Sequence, residues 1–190
     1  MQNLEAYLQA TYFIDSDNPA IQKKAEEICP PDANLKEKAV KLFYFVRDQI
    51  KYNMYAVSTK KEGYKASAIL QAGQGWCLQK AILLAALARA AGLPCRLVVV
   101  SLRNHRASDA AIEAMGTNYI FPHVYNEVLV DGKWIKIAAT FDKEICARNG
   151  VPTVEFDGEN NSILSSVDLE GNPYIEYLDD YGVYADVPWD

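Results

Sequence analysis

The segment from Cys77 to Ala91 constrains the fold more than any other part of the chain, because nearly all of its side chains are apolar. Leucine, isoleucine and alanine recur on every face of a helix drawn through it. A helix that is apolar nearly all round is buried at the centre of a domain. Gly92 predicts a left-handed cap at its end, and Pro94 prevents its continuation. The sequence therefore predicts a central helix on which the other elements pack.

Helix signals also dominate the chain before this segment. Asn18 and Pro19 are typical of an N-cap and a first helical residue, and they predict a helix that ends at Ile28. Asn34 is the expected cap of a longer amphipathic helix, and Ser67 is the candidate cap of a short one. The apolar face of the amphipathic helix is formed by Ala39, Leu42, Phe43, Val46 and Ile50.

The pattern changes to strands after the central segment. A short buried strand is predicted over Arg96–Ser101, and two longer ones over residues 119–130 and 133–140. The dipeptide Asp131-Gly132 between the last two is a strong signal for a two-residue hairpin turn. Helices followed by an antiparallel sheet predict an α+β fold rather than a doubly wound one.

Composition limits the partners and the compartment. The chain has 190 residues, a length that predicts a single domain over 1–190, and its net charge is −6 without a basic run. This balance argues against nucleic acid and an anionic membrane as partners. Neither a signal peptide nor a membrane-spanning segment is visible, so we expect a cytoplasmic protein with free thiols. No zinc site is expected from the spacing of Cys29, Cys77, Cys95 and Cys146.

Cys77 and His123 are the candidate reactive residues. Cys77 opens the central helix, where the partial positive charge of the helix end favours a thiolate and the N–H of the cysteine could bind an oxyanion. The alternative is a small buried side chain at a helix start. His123 lies on a predicted strand and would supply the base that a thiol nucleophile needs. The second histidine, His105, lies in a polar loop and is expected to be exposed.

The hairpin register identifies candidates for a third member of the site. With a turn at 131–132, paired residue numbers add up to 263, which places His123 opposite Thr140 with Ala138 and Asp142 as its diagonal neighbours. Only Asp142 has a carboxylate that could orient the imidazole. Its alternative role is the N-cap of a short helix that ends at Arg148. Thr140 could orient the ring weakly.

Five segments together resemble the transglutaminase-like superfamily, in its bacterial form. The resemblance covers about residues 36–142, which would form the core, with a C-terminal tail over 151–190 packed on it. The matching segments are Val46–Tyr52, Gly75–Ala81, Leu84–Arg96, His123–Val128 and Asp131–Ile137.

The resemblance implies a papain-like α+β fold and acyl transfer through a thioester. Cys77 would be the nucleophile and His123 the general base and acid, in a triad completed by an aspartate. The substrate would be a peptide, a protein or a small molecule with an amide bond, which the enzyme would hydrolyse or transamidate. No metal or organic cofactor is implied.

One departure from the superfamily pattern concerns the triad acid. The usual aspartate follows the strand tryptophan by four residues, and the residue at that distance from Trp134 is Ala138. Asp142 could replace it, the site could act as a weaker dyad, or the domain could be catalytically impaired and bind a peptide or partner. The oxyanion partner is equally open, with Tyr52, Gln71 and Gln74 as candidates.

Four tyrosines in the tail allow two interpretations. They could pack the chain end onto the sheet, or they could form an aromatic wall over the cleft. The residues concerned are Tyr174, Tyr177, Tyr181 and Tyr184.

Overall fold

A computed structural model describes residues 4–189 and shows helices and an antiparallel sheet, as the sequence predicts. The helices are α1 (Pro19–Ile28), α2 (Leu35–Gln49), α3 (Ala66–Ala72), α4 (Cys77–Ala90), α5 (Asp109–Met115) and α6 (Lys143–Asn149). The strands are β1 (Lys51–Tyr52), β2 (Gln74–Gly75), β3 (Cys95–Asn104), β4 (Tyr119–Val130), β5 (Lys133–Ile137) and β6 (Ile175–Tyr184). Within 4–189, no helix combines the length and the apolarity that crossing a membrane requires.

Helix α4 is the centre of the molecule. Every residue from Cys77 to Arg89 is buried, and the helix packs on α1, α2 and α3 on one side and on β3 and β4 on the other. Each fully buried leucine contributes about 1.5–3 kcal/mol through the area it removes from water. Gly92, with φ of 82°, turns the chain out of the helix and into β3. The predicted central helix is confirmed.

The predicted caps of the first two helices are also confirmed. The Asn18 side chain accepts a hydrogen bond from the Ala20 N–H (2.9 Å), and Asn34 forms a capping box with Glu37. The proposed cap at Ser67 is wrong, because α3 begins one residue earlier. The Ser67 N–H instead donates to the Asp15 carboxylate (3.0 Å), which ties α3 to the N-terminal segment.

The main sheet has the order β5-β4-β3-β6, and all its strands are antiparallel. Asn126 pairs with Ile137, which confirms the predicted hairpin register. The strand predicted over 133–140 is too long, however. The Ala138 N–H leaves the ladder and donates to the Ser162 carbonyl (2.8 Å), so β5 ends at Ile137. Thr140 therefore does not pair with His123.

The C-terminal tail contributes a strand, β6, to the main sheet. It pairs with β3 from Ile175 to Tyr184 and forms one edge of the sheet. The sequence predicts only a tail over 151–190 that packs on the core. Because β3 lies between β4 and β6, the tail brings its tyrosines towards the strand that carries His123.

Candidate active site

Cys77 is the first residue of α4, and the two residues of β2 fix the path of the chain into this helix. Strand β2 pairs in parallel with β1, with Tyr52 opposite Gly75. A side chain at Gly75 would lie 2.8 Å from Cβ of Gln79, so the close approach requires glycine. The Gln79 side chain accepts a hydrogen bond from the Trp76 N–H (3.2 Å). The thiol is thus held at the N-terminal end of a rigid helix.

The Cys77 thiol lies against the part of β4 that contains His123. Its Sγ is 3.9 Å from the carbonyl oxygen of Pro122, and a hydrogen bond from the N–H of Val124 lowers the pKa of the thiol. These two residues flank His123 in the chain. The structure therefore brings the predicted nucleophile to the strand segment of the predicted base.

Burial sets the protonation state of both side chains. Cys77 is 4% exposed and His123 is 3% exposed. Burial raises the pKa of Cys77 to about 11, although the N–H groups of Val124, Leu78 and Cys77 itself act to lower it. Burial lowers the pKa of His123 to about 4. The expected thiolate is therefore absent at neutral pH, and the resting pair is a neutral thiol and a neutral imidazole.

Within the part of the chain that the structure describes, no carboxylate is hydrogen-bonded to the imidazole of His123. Within residues 4–189, its buried Nε2 has no hydrogen-bond partner. Ala138, at the usual place of the acid, is buried and has no polar side chain.

Asp142 has a different role from the predicted one. Its Oδ1 accepts from the Ile145 N–H and its Oδ2 from the Tyr52 N–H, both at 3.0 Å. The carboxylate caps α6 and binds β1, so the alternative of an N-cap is correct. Within residues 4–189 no hydrogen bond joins this carboxylate to the imidazole, so the structure gives Asp142 the role of a cap instead of the predicted role of orienting His123.

Tyrosine side chains surround the thiol and the imidazole. The Tyr177 ring lies 6.1 Å from the His123 ring and 6.1 Å from the Tyr125 ring, edge on in both cases. Tyr52 packs against Phe141 with ring centroids 4.7 Å apart. Burial raises the pKa of the Tyr52 and Tyr177 hydroxyls, and the nearby Cys77 adds to this effect.

Both interpretations of the tail tyrosines therefore hold in part. Tyr174 is buried as a packing residue, whereas Tyr177 forms a wall of the site. Tyr181 is exposed on β6, and Tyr184, at the end of the strand, is half-buried against the core. The contact of Tyr177 with His123 is not predicted from the sequence, in which the cluster of tyrosines is its one signal.

The chain also matches the sequence profile of a known protein family. The profile described as the transglutaminase-like superfamily matches residues 22–139, more than half of the chain. The chain belongs to the transglutaminase-like superfamily. The segment matched includes Cys77 and His123 and ends just before Thr140.

A solved structure supports the same fold. A proposed cysteine protease from Cytophaga hutchinsonii has a TM-score of 0.57 and 16% identity, over 97% of this chain and 55% of its own. This chain thus spans about half the length of that protein. The periplasmic domain of TgpA from Pseudomonas aeruginosa has a TM-score of 0.46 and 21% identity, over 64% of this chain and 42% of its own. Comparison with curated proteins gives no match.

Proposed function

We propose that the protein is a cysteine-dependent acyl-transfer enzyme that cleaves an amide or peptide bond. The observation that carries this proposal is the Cys77 thiol at the N-terminal end of α4, 3.9 Å from the carbonyl next to His123. A nucleophile and a base on two rigid elements are the minimum that such chemistry needs. Membership of the transglutaminase-like superfamily supports the same reaction class.

The reaction begins from the neutral pair. The His123 imidazole takes the proton of the thiol while Sγ attacks the carbonyl carbon of the substrate. The N–H of Cys77 and the hydroxyl of Tyr52 are the proposed donors to the oxyanion. Burial keeps the Tyr52 hydroxyl protonated, and therefore able to donate.

Collapse of this intermediate breaks the carbon–nitrogen bond. The imidazolium returns its proton to the leaving amine, and the acyl group remains on Sγ as a thioester. Water then releases a carboxylic acid, or a second amine releases a new amide. The atoms and charges balance without a cofactor.

The unpartnered Nε2 of His123 makes this a slow enzyme in its closed form. The imidazolium that forms during attack has no carboxylate to stabilise it. Loss of such an acid costs orders of magnitude in rate without abolishing catalysis. The site is also closed at rest, because Cys77 is buried.

The test uses p-nitrophenyl acetate, whose acetyl group is transferred to a reactive thiol with release of p-nitrophenolate. We expect Cys77→Ala to abolish the release and His123→Ala to lower its rate by about 10²–10⁴-fold. Cys29→Ala is the matched control, because Cys29 is a buried free thiol at the end of α1. Full turnover in Cys77→Ala would refute the proposal. Peptide amides then replace the ester, and mass spectrometry separates hydrolysis from transamidation.

A peptide-binding domain that has lost catalysis is the second candidate. The absence of an acid at Ala138 and the high pKa of the Cys77 thiol favour it. It predicts no p-nitrophenolate from the wild type, together with saturable peptide binding that Cys77→Ala leaves unchanged.

We further propose a reducing compartment, the cytoplasm, as the site of action. All four cysteines are free and buried in the structure. Free thiols persist where the glutathione and thioredoxin systems keep them reduced.

A further inference from the structure

Lys80 is a buried charge on the helix that carries the nucleophile. It follows Cys77 by three residues and is 1% exposed, although lysine is rarely buried without a partner. Its ammonium donates to the carbonyl oxygens of Arg47 (3.1 Å) and Ile50 (2.6 Å). Burial of an ammonium carries a large desolvation cost, and these two hydrogen bonds offset part of that cost.

The two carbonyl oxygens belong to the C-terminal end of α2. Arg47 lies in its last turn, and Ile50 is its C-cap. Carbonyl groups at this end of a helix lack partners and carry partial negative charge, which an ammonium neutralises. Strand β1 starts at the next residue, so Lys80 fixes the position of β1 relative to α4.

Asp142 also binds this junction. Its carboxylate accepts from the Tyr52 N–H (3.0 Å), and the Phe141 ring packs on the Tyr52 ring. Tyr52 also pairs with Gly75, which lies two residues before the start of α4. Three contacts therefore fix the position of Tyr52. Lys80 binds the carbonyl of Ile50 just before β1, Asp142 binds the N–H of Tyr52, and β2 pairs with Tyr52 on the way into Cys77.

We propose that Lys80 is a positioning residue whose protonated ammonium holds the junction between α2 and β1, and with it Tyr52, against Cys77. This inference rests on the proposed acyl-transfer function, because Tyr52 is the proposed oxyanion donor there. Lys80 acts through Tyr52 and does not contact the reacting atoms.

The charged groups around Lys80 make this clamp sensitive to pH. Burial lowers the pKa of Lys80 to about 7; Asp142, Asp48 and Cys146 act to raise this pKa, and Arg47 acts to lower it. Above this pH the amine is neutral and holds the carbonyl groups less strongly. The neutral Cys77–His123 pair is the reactive form in the proposed mechanism, and its pKa values of about 11 and about 4 lie far from pH 7, so turnover by this pair gains no limb there.

Stability changes in the opposite direction to activity. A lysine whose pKa is lowered by folding binds its proton more weakly in the folded state than in the unfolded state. Between pH 7 and the ordinary lysine pKa of 10.5, the unfolded chain therefore binds more protons, and the Lys80 contribution to stability rises with pH. A loss of activity over this range cannot then come from unfolding caused by Lys80.

The experiment measures p-nitrophenyl acetate turnover from pH 5.5 to 9.5 in the wild type, Lys80→Met and Lys80→Gln. We expect a wild-type kcat that falls above about pH 7, and a Lys80→Met kcat that is about 10–100-fold lower at pH 6 and without this limb. Lys80→Gln keeps a donor that does not titrate and should restore part of kcat, again without the limb. Thermal unfolding of each variant shows that it is folded.

Lys38→Met is the matched control. Lys38 also donates to a main-chain carbonyl at a helix end, that of Ala91 (3.2 Å), but at the opposite end of α4 from Cys77. We expect it to retain the wild-type kcat and pH profile. A folded Lys80→Met with the wild-type kcat, or with the limb retained, would overturn the proposal.

A second measurement does not depend on turnover. Displacement of Tyr52 uncovers the thiol, so iodoacetamide should alkylate Cys77 faster in Lys80→Met than in the wild type, with buried Cys95 unchanged as the internal reference. If the wild type lacks turnover but Cys77 alkylation responds, the clamp stands and the proposed function fails. If turnover is present but neither kcat nor alkylation responds, the function stands and the clamp fails.

Discussion

Two opposing effects act on the Cys77 thiol, and their sizes decide its ionisation. The helix end stabilises an anion by about 0.3–1 kcal/mol. Burial raises the pKa from an ordinary 9.0 to about 11 even though the main-chain N–H groups act to lower it. This net change is worth about 3 kcal/mol, because each pKa unit is worth about 1.4 kcal/mol. Desolvation therefore wins, and the helix end only moderates it. The thiolate forms when the imidazole accepts the proton, rather than beforehand.

Ala138→Asp tests the consequence of the unpartnered imidazole. A carboxylate at this position would accept a hydrogen bond at Nε2 and stabilise the imidazolium during attack. We expect p-nitrophenyl acetate turnover to rise by about 10–100-fold and the pKa of His123 to rise from about 4. NMR titration of the imidazole signals checks the second effect.

The adjacent Ala139→Asp is the control for this substitution. Ala139 is also buried, but it lies one residue beyond the position that the triad aspartate has in the superfamily pattern. Its carboxylate should destabilise the protein without raising turnover. Equal turnover in the two variants would show that residue 138 does not reach the imidazole.

Among the elements, β6 has the largest influence on the site. Tyr177→Ala removes the ring that covers one side of His123. We expect water to enter and the pKa of His123 to rise towards 6.5, because desolvation is the cause of its lowered value. The loss of packing should cost about 3 kcal/mol of stability.

The small number of histidines makes this measurement direct. Only His105 and His123 give imidazole signals in NMR, and His105 is partly exposed and paired with Glu176. Tyr184→Ala, on the outer end of the same strand, should leave the His123 titration unchanged. A His123 pKa that stays near 4 in Tyr177→Ala would mean that other groups exclude the water.

The elements differ in how far local sequence determines them. The hairpin of β4 and β5 is predictable to the residue, because Asp131 and Gly132 adopt the positive φ angles of a two-residue turn that fixes the register. Strand β6 has mainly exposed side chains and no clean alternation, so no periodic signal marks it. Its position beside β3 arises from pairing over a long sequence separation.

The same distinction applies to the candidate site. Cys77 and His123 are predictable, because one opens an apolar helix and the other lies on a strong strand. Their protonation states are not, since these depend on burial by Tyr177, which is distant in sequence. For Asp142 the sequence leaves two roles open, the cap of α6 and the acid beside His123. The hydrogen bonds that it accepts from Ile145 and Tyr52 distinguish them.

The whole molecule covers all of its thiols, and this leads to a prediction for the native protein. Burial raises the pKa of Cys77 to about 11 and that of Cys95 to about 12, and it also raises the pKa of Cys29 and Cys146. At pH 7.5 we expect iodoacetamide to alkylate Cys77 at least about 100-fold more slowly than free cysteine, with a rate that rises about tenfold per pH unit.

Mass mapping of each alkylated peptide checks this expectation. In guanidinium chloride all four thiols should react at similar rates, which controls for intrinsic differences between the peptides. Rapid alkylation of native Cys77 at pH 7.5 would show a preformed thiolate and contradict the neutral resting pair.

The place of β6 in the chain has a consequence for biosynthesis. Among the described elements it leaves the ribosome last, yet it pairs with β3, which is made much earlier. Until then the edge of β3 is bare, and Tyr177 is not beside His123. A nascent chain paused before β6 would thus expose the edge of β3 and one side of His123, which makes it a target for chaperones. The covering of His123 is in this sense coupled to the synthesis of β6.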